Sequence, residues 1–581
     1  YTTGGETTIL EGAFANGDSL TSIVIGEGVT KIERGALKGA SSLQSLTVPY
    51  LGDGAGNQFL AYIFGAERAA DNGTTGLYVP KTLQSLTITS PVGAVAGYAF
   101  YGCTGLREIS GLDGASSYGA YAFAYSGLES AEVPATVTEI GENAFSGCAS
   151  LTEIKVAADN ANYASYDGCL YDAALKVLYT VPSAKTSVEF PDTVKEISSY
   201  AFRDSLVESV EIPESVETIG YYAFYGCNAL RHLRVPFIGG SRTENTYMLY
   251  IFGGHYTVET DEEGEESVTF DNTGAYPALL ESIDYYGTAD IPDYAFTYCS
   301  TLKSVNYGDE ITRIGKYAFS NTALSSLAIG SGVTSIGDFA YSYLDELEGE
   351  ITIPGTVREM GKGILAGSRY VTAVTFEEGV TEIGNAFMLA YTSSDSSTET
   401  YYYYSSLEEI NIPASVTKIH PLAFTYAGYN YDSSQKKQVT SPVRLNIAEG
   451  SKLTLIDEAA FAYSGIVELN LPASVQEIGV QAFFGCEYLT AVNFGTAEEG
   501  SALSSIGGLA FGYCPALAEM NIYKTVTSTS DVPAISPYTA GGGAINFLYG
   551  SSVPAINVRN ASLYKSQRYW SEYAKSIYEM E

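Results

Sequence analysis

The chain is poor in the residues that most often carry chemistry. Its 581 residues include three histidines, five methionines and one tryptophan. Basic residues are also scarce, with 30 Lys and Arg against 67 Asp and Glu, a formal net charge of -37. That balance speaks against nucleic-acid binding, which needs cations against phosphate. It speaks equally against docking on anionic lipid. A surface this acidic keeps a protein soluble and suits basic partners or cations. No segment approaches the roughly 20 apolar residues of a membrane span. The chain opens at Tyr1 with neither Met nor a signal sequence, which reads as a mature or trimmed form.

Enzyme signatures are missing as well. There is no Gly-x-Ser-x-Gly elbow, no His-Glu-x-x-His and no Walker-type loop. Gly26-Glu27-Gly28 and Gly330-Ser331-Gly332 look like pieces of a phosphate loop but lack the helix that must follow. His232, His255 and His420 fall far apart, and His420 stands where a repeat glycine is expected. Paired carboxylates carry no glycosidase signal in so acidic a chain. The run Asp261 to Glu266 offers clustered oxygens but not the alternating spacing of an EF-hand, and reads as a solvated loop. The expectation is therefore a protein without catalytic residues, metal site or cofactor.

What the chain does have is a repeat. The pattern Ile-Pro, Val-x-x-Ile-Gly, Ala-Phe-x-Gly-Cys-x-x-Leu runs cleanly through Val133-Pro134, Val137, Ile140-Gly141, Ala144-Phe145, Gly147-Cys148, Leu151 and Ile154. It returns from Ile212-Pro213 through Ala223-Phe224 to Leu233, and from Leu471-Pro472 through Ala482-Phe483 to Val492. Phe123 and Phe145, Phe202 and Phe224, and Phe461 and Phe483 are each about 22 residues apart, within the leucine-rich-repeat period. A unit of that size cannot bury its own apolar face and must bury it on its neighbours.

Within a unit, the alternating stretch before Pro reads as a short strand, which the Pro ends. Val-x-x-Ile-Gly is a second short extended piece. Ala-Phe-x-Gly-Cys is too short for a helix and reads as a tight or 3₁₀-like turn, its Phe pointing inward and stacking on the next. Six cysteines, Cys103, Cys148, Cys227, Cys299, Cys486 and Cys514, share one slot after Ala-Phe, while Cys169 lies elsewhere. One slot means one environment, so buried free thiols are expected rather than a disulfide framework. Cys486 with Cys514 is the one pair worth checking.

The fold class that follows is a β-rich leucine-rich-repeat solenoid over 1–522, with insertions near 49–90, 157–190, 236–290, 388–406 and 425–442. Residues 523–581 are assigned to a terminal repeat and a C-terminal helical cap. In that cap Leu563-Tyr564, Tyr569-Trp570, Tyr573 and Ile577 would lie on one helix face, with Asn560 or Ser562 at its start. Val48 to Gly52 with Ala61 to Gly65 recurs as Val235 to Gly239 with Leu249 to Gly253, a duplicated insertion expected to form apolar flaps over an edge. Asp167 to Pro182 reads as a β-hairpin.

Two insertions share a register. Phe387 to Ile410 and Phe424 to Leu445 are 23 and 21 residues apart, where Phe145 to Ile154 is nine. In stacked repeats they should emerge side by side. They carry Tyr401, Tyr402, Tyr403, Tyr404, Tyr429 and Tyr431 among Ser, Thr, Asn and Asp, the composition of a paratope. These six tyrosines are the candidate binding residues. The 48 tyrosines of the chain make such a cluster cheap, and a pair of surface loops with a compositional bias is the blander reading.

The repeats resemble the bacterial BspA-like, or type 5, leucine-rich repeats through Ile-Pro, Val-x-x-Ile-Gly and Ala-Phe-x-Gly-Cys-x-x-Leu together. The tail around Tyr564-Lys565 and Trp570 is similar to the closing unit of such proteins. The resemblance implies an extracellular or cell-surface protein of a host-associated bacterium, in a family where some members are adhesins. It carries over no catalytic residues, since the motif is structural. The function expected is non-enzymatic binding of a host or bacterial surface protein, or of a glycan, over a broad surface. A structural stalk and a polysaccharide-capture accessory are the alternatives.

Overall fold

The structure is a computed structural model. It describes residues 7–54, 56, 58–260, 266–271, 276–388, 391–395, 400–432, 437–540 and 543–580. For 266–268, 391–395, 400–403, 431–432, 437–438, 540 and 543 it describes the backbone alone. The chain divides into two compact units, Tyr1–Tyr285 and Tyr286–Glu581.

In the first unit the strand before each Pro pairs in parallel with its counterpart one repeat on. Ser22–Val24, Ser45–Val48, Ser85–Ile88 and Glu108–Ser110 make one such sheet. Burial alternates along them, so Leu46 and Val48 are buried while Ser45 and Thr47 lie at the surface side, the period of two that a half-buried strand requires. In the second unit Glu468–Leu471, Ala491–Phe494, Glu519–Ile522 and Ala555–Val558 form the equivalent sheet. The Val-x-x-Ile-Gly pieces build a second, narrower ladder, seen where Leu455–Ile456 pairs with Glu477–Ile478 and that with Ser505–Gly507.

The Ala-Phe turns close each repeat and follow one hydrogen-bond scheme. In the turn at Phe100, the N–H groups of Tyr98, Phe100 and Gly102 donate to the carbonyls of Ala120, Ala122 and Ala124 in the next repeat. The intervening N–H groups of Ala99, Tyr101 and Cys103 donate three residues back within the same turn. The second unit repeats this, with Ala459, Phe461 and Tyr463 donating to Val480, Ala482 and Phe484. The scheme needs two left-handed residues per turn, one just before Ala and one two residues after Phe, as Tyr121 and Tyr125 at φ +56° and +56° show.

Inside, the phenylalanines stack. Phe123 and Phe145 lie 5.1 Å apart at 4°, Phe461 and Phe483 5.3 Å apart at 2°, and Phe483 and Phe511 5.4 Å apart at 2°. Offset stacking of this kind adds to the area each ring buries. Outside runs a second ladder that the repeat pattern does not announce. Tyr98 stacks on Tyr121 at 5.1 Å, Tyr200 on Tyr222 at 5.2 Å, and Tyr426 on Tyr463 at 4.9 Å. Stacking helps hold bulky rings at a positive φ they otherwise avoid. Glycine in the second left-handed slot of one repeat makes room for the ring that holds that slot in the repeat before it. A Cβ on Gly147, at φ +67°, would come within 2.4 Å of the Tyr125 ring, and one on Gly485 within 2.6 Å of Tyr463.

The insertions differ from expectation in three places. The duplicated segments are not flaps. Helices Leu60–Ile63 and Leu249–Phe252 occupy the turn slot itself, with Leu37 N–H donating to Ile63 and Phe224 N–H to Ile251. Ile63 and Ile251 thus stand where the repeat alanine stands, and the buried Phe64 and Phe252 take the position of the repeat phenylalanine. The hairpin near 167–182 is present and larger than expected, since Tyr163–Tyr166, Cys169–Asp172 and Val177–Thr180 form a three-stranded meander. The terminal helix ends early. It spans only Ala561–Ser566, followed by a 3₁₀ turn at Trp570–Tyr573 and a strand, Ile577–Glu579, paired in parallel with Ala555–Val558. Tyr569, at φ +67°, breaks the helical path. Neither Asn560 nor Ser562 caps that helix. The Glu579 carboxylate does so, accepting the N–H groups of Asn560 and Ala561 at 2.8 and 2.6 Å. Trp570 is buried, and its indole N–H donates to Pro533 O at 2.7 Å.

Phe123→Ala removes a ring stacked on both sides and is expected to destabilise the first unit by about 3–5 kcal/mol. Gly147→Ala is expected to cost more than about 1 kcal/mol, because it combines a left-handed residue with a clash against Tyr125. Urea unfolding followed by far-ultraviolet circular dichroism checks both, and an unchanged midpoint for Phe123→Ala would show that the stack does not stabilise the unit.

Candidate functional site

The two insertions after Phe387 and Phe424 are antiparallel hairpins rather than loops. Tyr391–Asp395 pairs with Thr400–Tyr404 in the register Tyr391 to Tyr404. Tyr429–Asp432 pairs with Lys437–Thr440 in the register Tyr429 to Thr440. The strand Thr400–Tyr404 lies against Tyr429–Asp432 of the other hairpin. Their bases are joined where Ser405 N–H donates to Tyr429 O at 2.9 Å and Gly428 N–H to Ser405 Oγ at 3.4 Å. The shared register therefore brings the two insertions together, as stacking of consecutive repeats requires.

Of the six candidate tyrosines, Tyr404 and Tyr429 are half-buried at the base of this pair. Tyr426 carries Tyr429 into the outer ladder, with ring centroids 5.3 Å apart, and itself stacks on Tyr463. The side chains of Tyr401, Tyr402, Tyr403 and Tyr431 lie outside the described residues, although the strands that bear them are placed. The acidic run from Asp261 to Glu265 also lies outside the described residues.

The histidines pair with carboxylates. His420 Nε2 is 2.7 Å from Glu382 Oε2, and His255 Nδ1 is 3.9 Å from Asp271 Oδ2. His232 is more interesting. Its Nδ1 lies 2.8 Å from Ser282 Oγ and its Nε2 3.3 Å from Asp284 Oδ2, a serine, histidine and aspartate in line on adjacent parallel strands. No pattern in the chain announces this, because Ser282 and Asp284 are 50 and 52 residues from His232 and only strand register unites them. Among the described residues, the two amides closest to the trio in the chain offer no oxyanion hole. The amides of His232 and Ser282 beside it are engaged by Glu208 O and Arg231 O in the ladder. Nucleophilic acyl transfer needs free N–H donors aimed at the developing charge, which these two amides do not supply; as placed, the three side chains link adjacent strands. Among the described residues no group of three His, Cys, Asp or Glu side chains gathers as a metal site. Nor is any described helix long and apolar enough to cross a membrane.

All seven cysteines are free and buried. In the repeat slot the thiol bridges neighbours, with Cys148 Sγ donating to Phe123 O at 3.1 Å and Cys227 Sγ to Phe202 O at 2.9 Å. Serine does similar work in the same slot, where Ser368 Oγ donates to Tyr341 O at 3.2 Å. Burial pushes the Cys148 thiol up to about 11, and those of Cys169 and Cys299 up to about 12.

Parallel strands stacked at a fixed period, with inward rings and polar outer faces, define a leucine-rich-repeat solenoid. The chain belongs to the family of BspA type leucine rich repeat regions, whose profile matches residues 5–60, 77–184, 177–248, 276–394 and 395–532. Solved structures similar to it share low identity. A leucine-rich repeat protein from Bacteroides ovatus is 18% identical, over 88% of this chain and 82% of that one, with a TM-score of 0.27. A leucine rich cell surface protein from Faecalibacterium prausnitzii is 21% identical, over 70% and 88%, with a TM-score of 0.28. The pneumococcal vaccine antigen PcpA is 16% identical, over 74% and 75%, with a TM-score of 0.23. No curated protein gives a significant match.

The raised thiols set a pH dependence. An unfolded thiol titrates near about 8.5. The folded state holds its proton longer, so this stabilisation is complete below that pH and is lost as the pH rises toward the folded values. Unfolding midpoints are expected to fall between about pH 8.5 and 12 and to fall less in a Cys148→Ser, Cys299→Ser variant. Ellman's reagent at pH 8 should find no reactive thiol in the native protein and all seven in guanidinium. A native thiol that reacts promptly would contradict the burial.

Proposed function

We infer that this is a non-enzymatic binding protein of the bacterial surface or its surroundings, which holds a protein or glycan partner on the outer edge of its repeats. The observation that carries this reading is the pairing of the two tyrosine-rich hairpins in consecutive repeats. Rigid repeats hold their bases, and Tyr with Ser, Thr, Asn and Asp gives the strands both apolar area and adaptable hydrogen bonds. The outer ladder of stacked tyrosines leads to Tyr429 and extends the aromatic surface beyond the hairpins. Membership of the BspA type family favours an extracellular setting and a structural rather than catalytic motif. Affinity in such a site comes from area and a few anchors rather than from one deep pocket.

The test is a solid-phase screen of the chain against matrix proteins, mucins and glycans. Beside it runs a variant with Tyr401, Tyr402, Tyr403, Tyr404, Tyr429 and Tyr431 all changed to Ser. A saturable partner is expected whose affinity falls by at least about tenfold, or 1.4 kcal/mol, in the variant. A partner bound equally by both proteins would remove the hairpins from the site. Ser282→Ala is expected to leave that binding unchanged, and diisopropyl fluorophosphate is expected not to label Ser282 in intact-mass measurements.

A further inference from the structure

The first unit contains a break in its main sheet. Strand Glu108–Ser110 ends the four-stranded sheet, and strand Ser130–Val133, one repeat on, pairs only with Glu153–Val156. These are consecutive repeats, and elsewhere they stay joined. Phe100 stacks on Phe123 at 5.3 Å, and Val95 bridges to Tyr118. The repeats part on this one side, and a cleft of about 1250 Å³ takes in the parting and runs on past Gln84, Gln44 and Thr21 at the starts of the earlier strands.

Backbone alternation identifies what faces the gap. In a parallel ladder successive residues bond alternately to the two neighbouring strands. Glu108 N–H is taken by Gln84 O on the near side, so the peptide groups of Ile109 point across the cleft. On the other wall Glu129 O is taken by Thr152 N–H, so Ser130 and Glu132 point back toward Ile109. Glu132 O has found a substitute partner, the Tyr118 hydroxyl, which donates to it at 2.8 Å. Two strand edges thus face each other without pairing, and an unpaired edge is a template for another strand. The rim is acidic. Glu108, Asp113, Glu129 and Glu132 line it against Arg107 and Lys155, and both cations are already engaged, with Glu129 at 2.7 Å and Glu153 at 2.7 Å. The Arg107–Glu129 pair bridges the two repeats at exposed positions, where an ion pair is weak and readily displaced.

We propose that this cleft receives an extended, basic peptide segment of a partner protein, which inserts as an added strand between Glu108–Ser110 and Ser130–Val133 and runs parallel to both. The inserted backbone pairs with Ile109 on one side and with Ser130 on the other, and its lysines or arginines meet the rim carboxylates. An insert of about four residues matches the length of the facing edges. The site is separate from the tyrosine hairpins, which belong to the other unit, and does not depend on them.

Hydrogen–deuterium exchange on the full chain tests this with a blocked octapeptide of alternating Lys and Val. Slower exchange is expected in the segments holding Ile109 and Ser130. Three comparisons decide the chemistry. An octapeptide of alternating Glu and Val should bind more weakly. The Lys-Val peptide N-methylated at alternate residues should bind at least about tenfold more weakly, since it lacks the donors. Ile109→Pro, which deletes the N–H facing the cleft and no bond to Ser85–Ile88, should behave like the N-methyl peptide. If that variant fails to fold, the N-methyl peptide answers the same question on the unchanged protein. The six-tyrosine variant should bind the peptide normally. Equal binding of the N-methylated peptide, protection away from these segments, or protection by xylohexaose in place of the peptide would each overturn the proposal.

Discussion

In the Ala-Phe turns at Phe100, Phe123 and Phe461 the backbone N–H groups point alternately in two directions, three to the next repeat and three back into the turn. No regular helix or strand does this, and it is possible only because two residues per turn adopt the left-handed conformation. The rest of both units depends on this arrangement. It sets the spacing at which the phenylalanines stack within, and it aims the left-handed side chains outward. The Phe carbonyl, which already accepts the N–H three residues on, takes a second bond from the thiol one repeat on, as at Cys148 and Cys227. A small polar slot, Cys or Ser, follows from that geometry rather than from redox chemistry.

The left-handed positions explain two oddities of composition together. Glycine is the ordinary answer to a positive φ. Here tyrosine takes the slot repeatedly, because a ring there can lie flat on a neighbouring ring or over a neighbouring glycine. Tyr125 over Gly147 and Tyr463 over Gly485 show the second solution, and Tyr200 on Tyr222 the first. An aromatic outer edge is thus a by-product of how the turns are held, before any partner is considered. The hairpins after Phe387 and Phe424 then enlarge that edge at one place. Insertions are tolerated there because the turn is complete before the chain leaves it, so the core gives up nothing.

The same logic accounts for the break between Glu108–Ser110 and Ser130–Val133. A repeat is tied to its neighbour on several sides, and the ties are independent enough for one to fail while the stack at Phe100 and Phe123 persists. The segment after Ser110 turns at Gly111, whose φ of +96° and close approach to Ile88 O hold it against the preceding repeat. A gap in a parallel sheet leaves two edges of correct polarity facing each other, which a hairpin protein with a single free edge does not offer. The hydroxyl of Tyr118 on Glu132 O shows that the fold already partly compensates the missing strand.

The repeat period, the strand before each Pro, the inward Phe and the buried free thiols could all be read from the chain, because each is a local pattern repeated often enough to fix its phase. The side-by-side placement of the two insertions was legible for the same reason, since equal register in consecutive units leaves them nowhere else to go. Three things were decided only in three dimensions. The duplicated Leu60 and Leu249 segments take over the turn slot because a short helix brings Phe64 and Phe252 to the place of the repeat phenylalanine, at a spacing that no period shows. The tail from Ala561 gives up its helix at Ser566 because Ile577 gains a strand partner in Ala555–Val558, a tertiary contact that outweighs helical spacing. The line of Ser282, His232 and Asp284 and the parting beside Ile109 depend on which strands pair and which do not. Pairing is settled between repeats, by packing on several sides at once, and a sequence read one repeat at a time does not contain it.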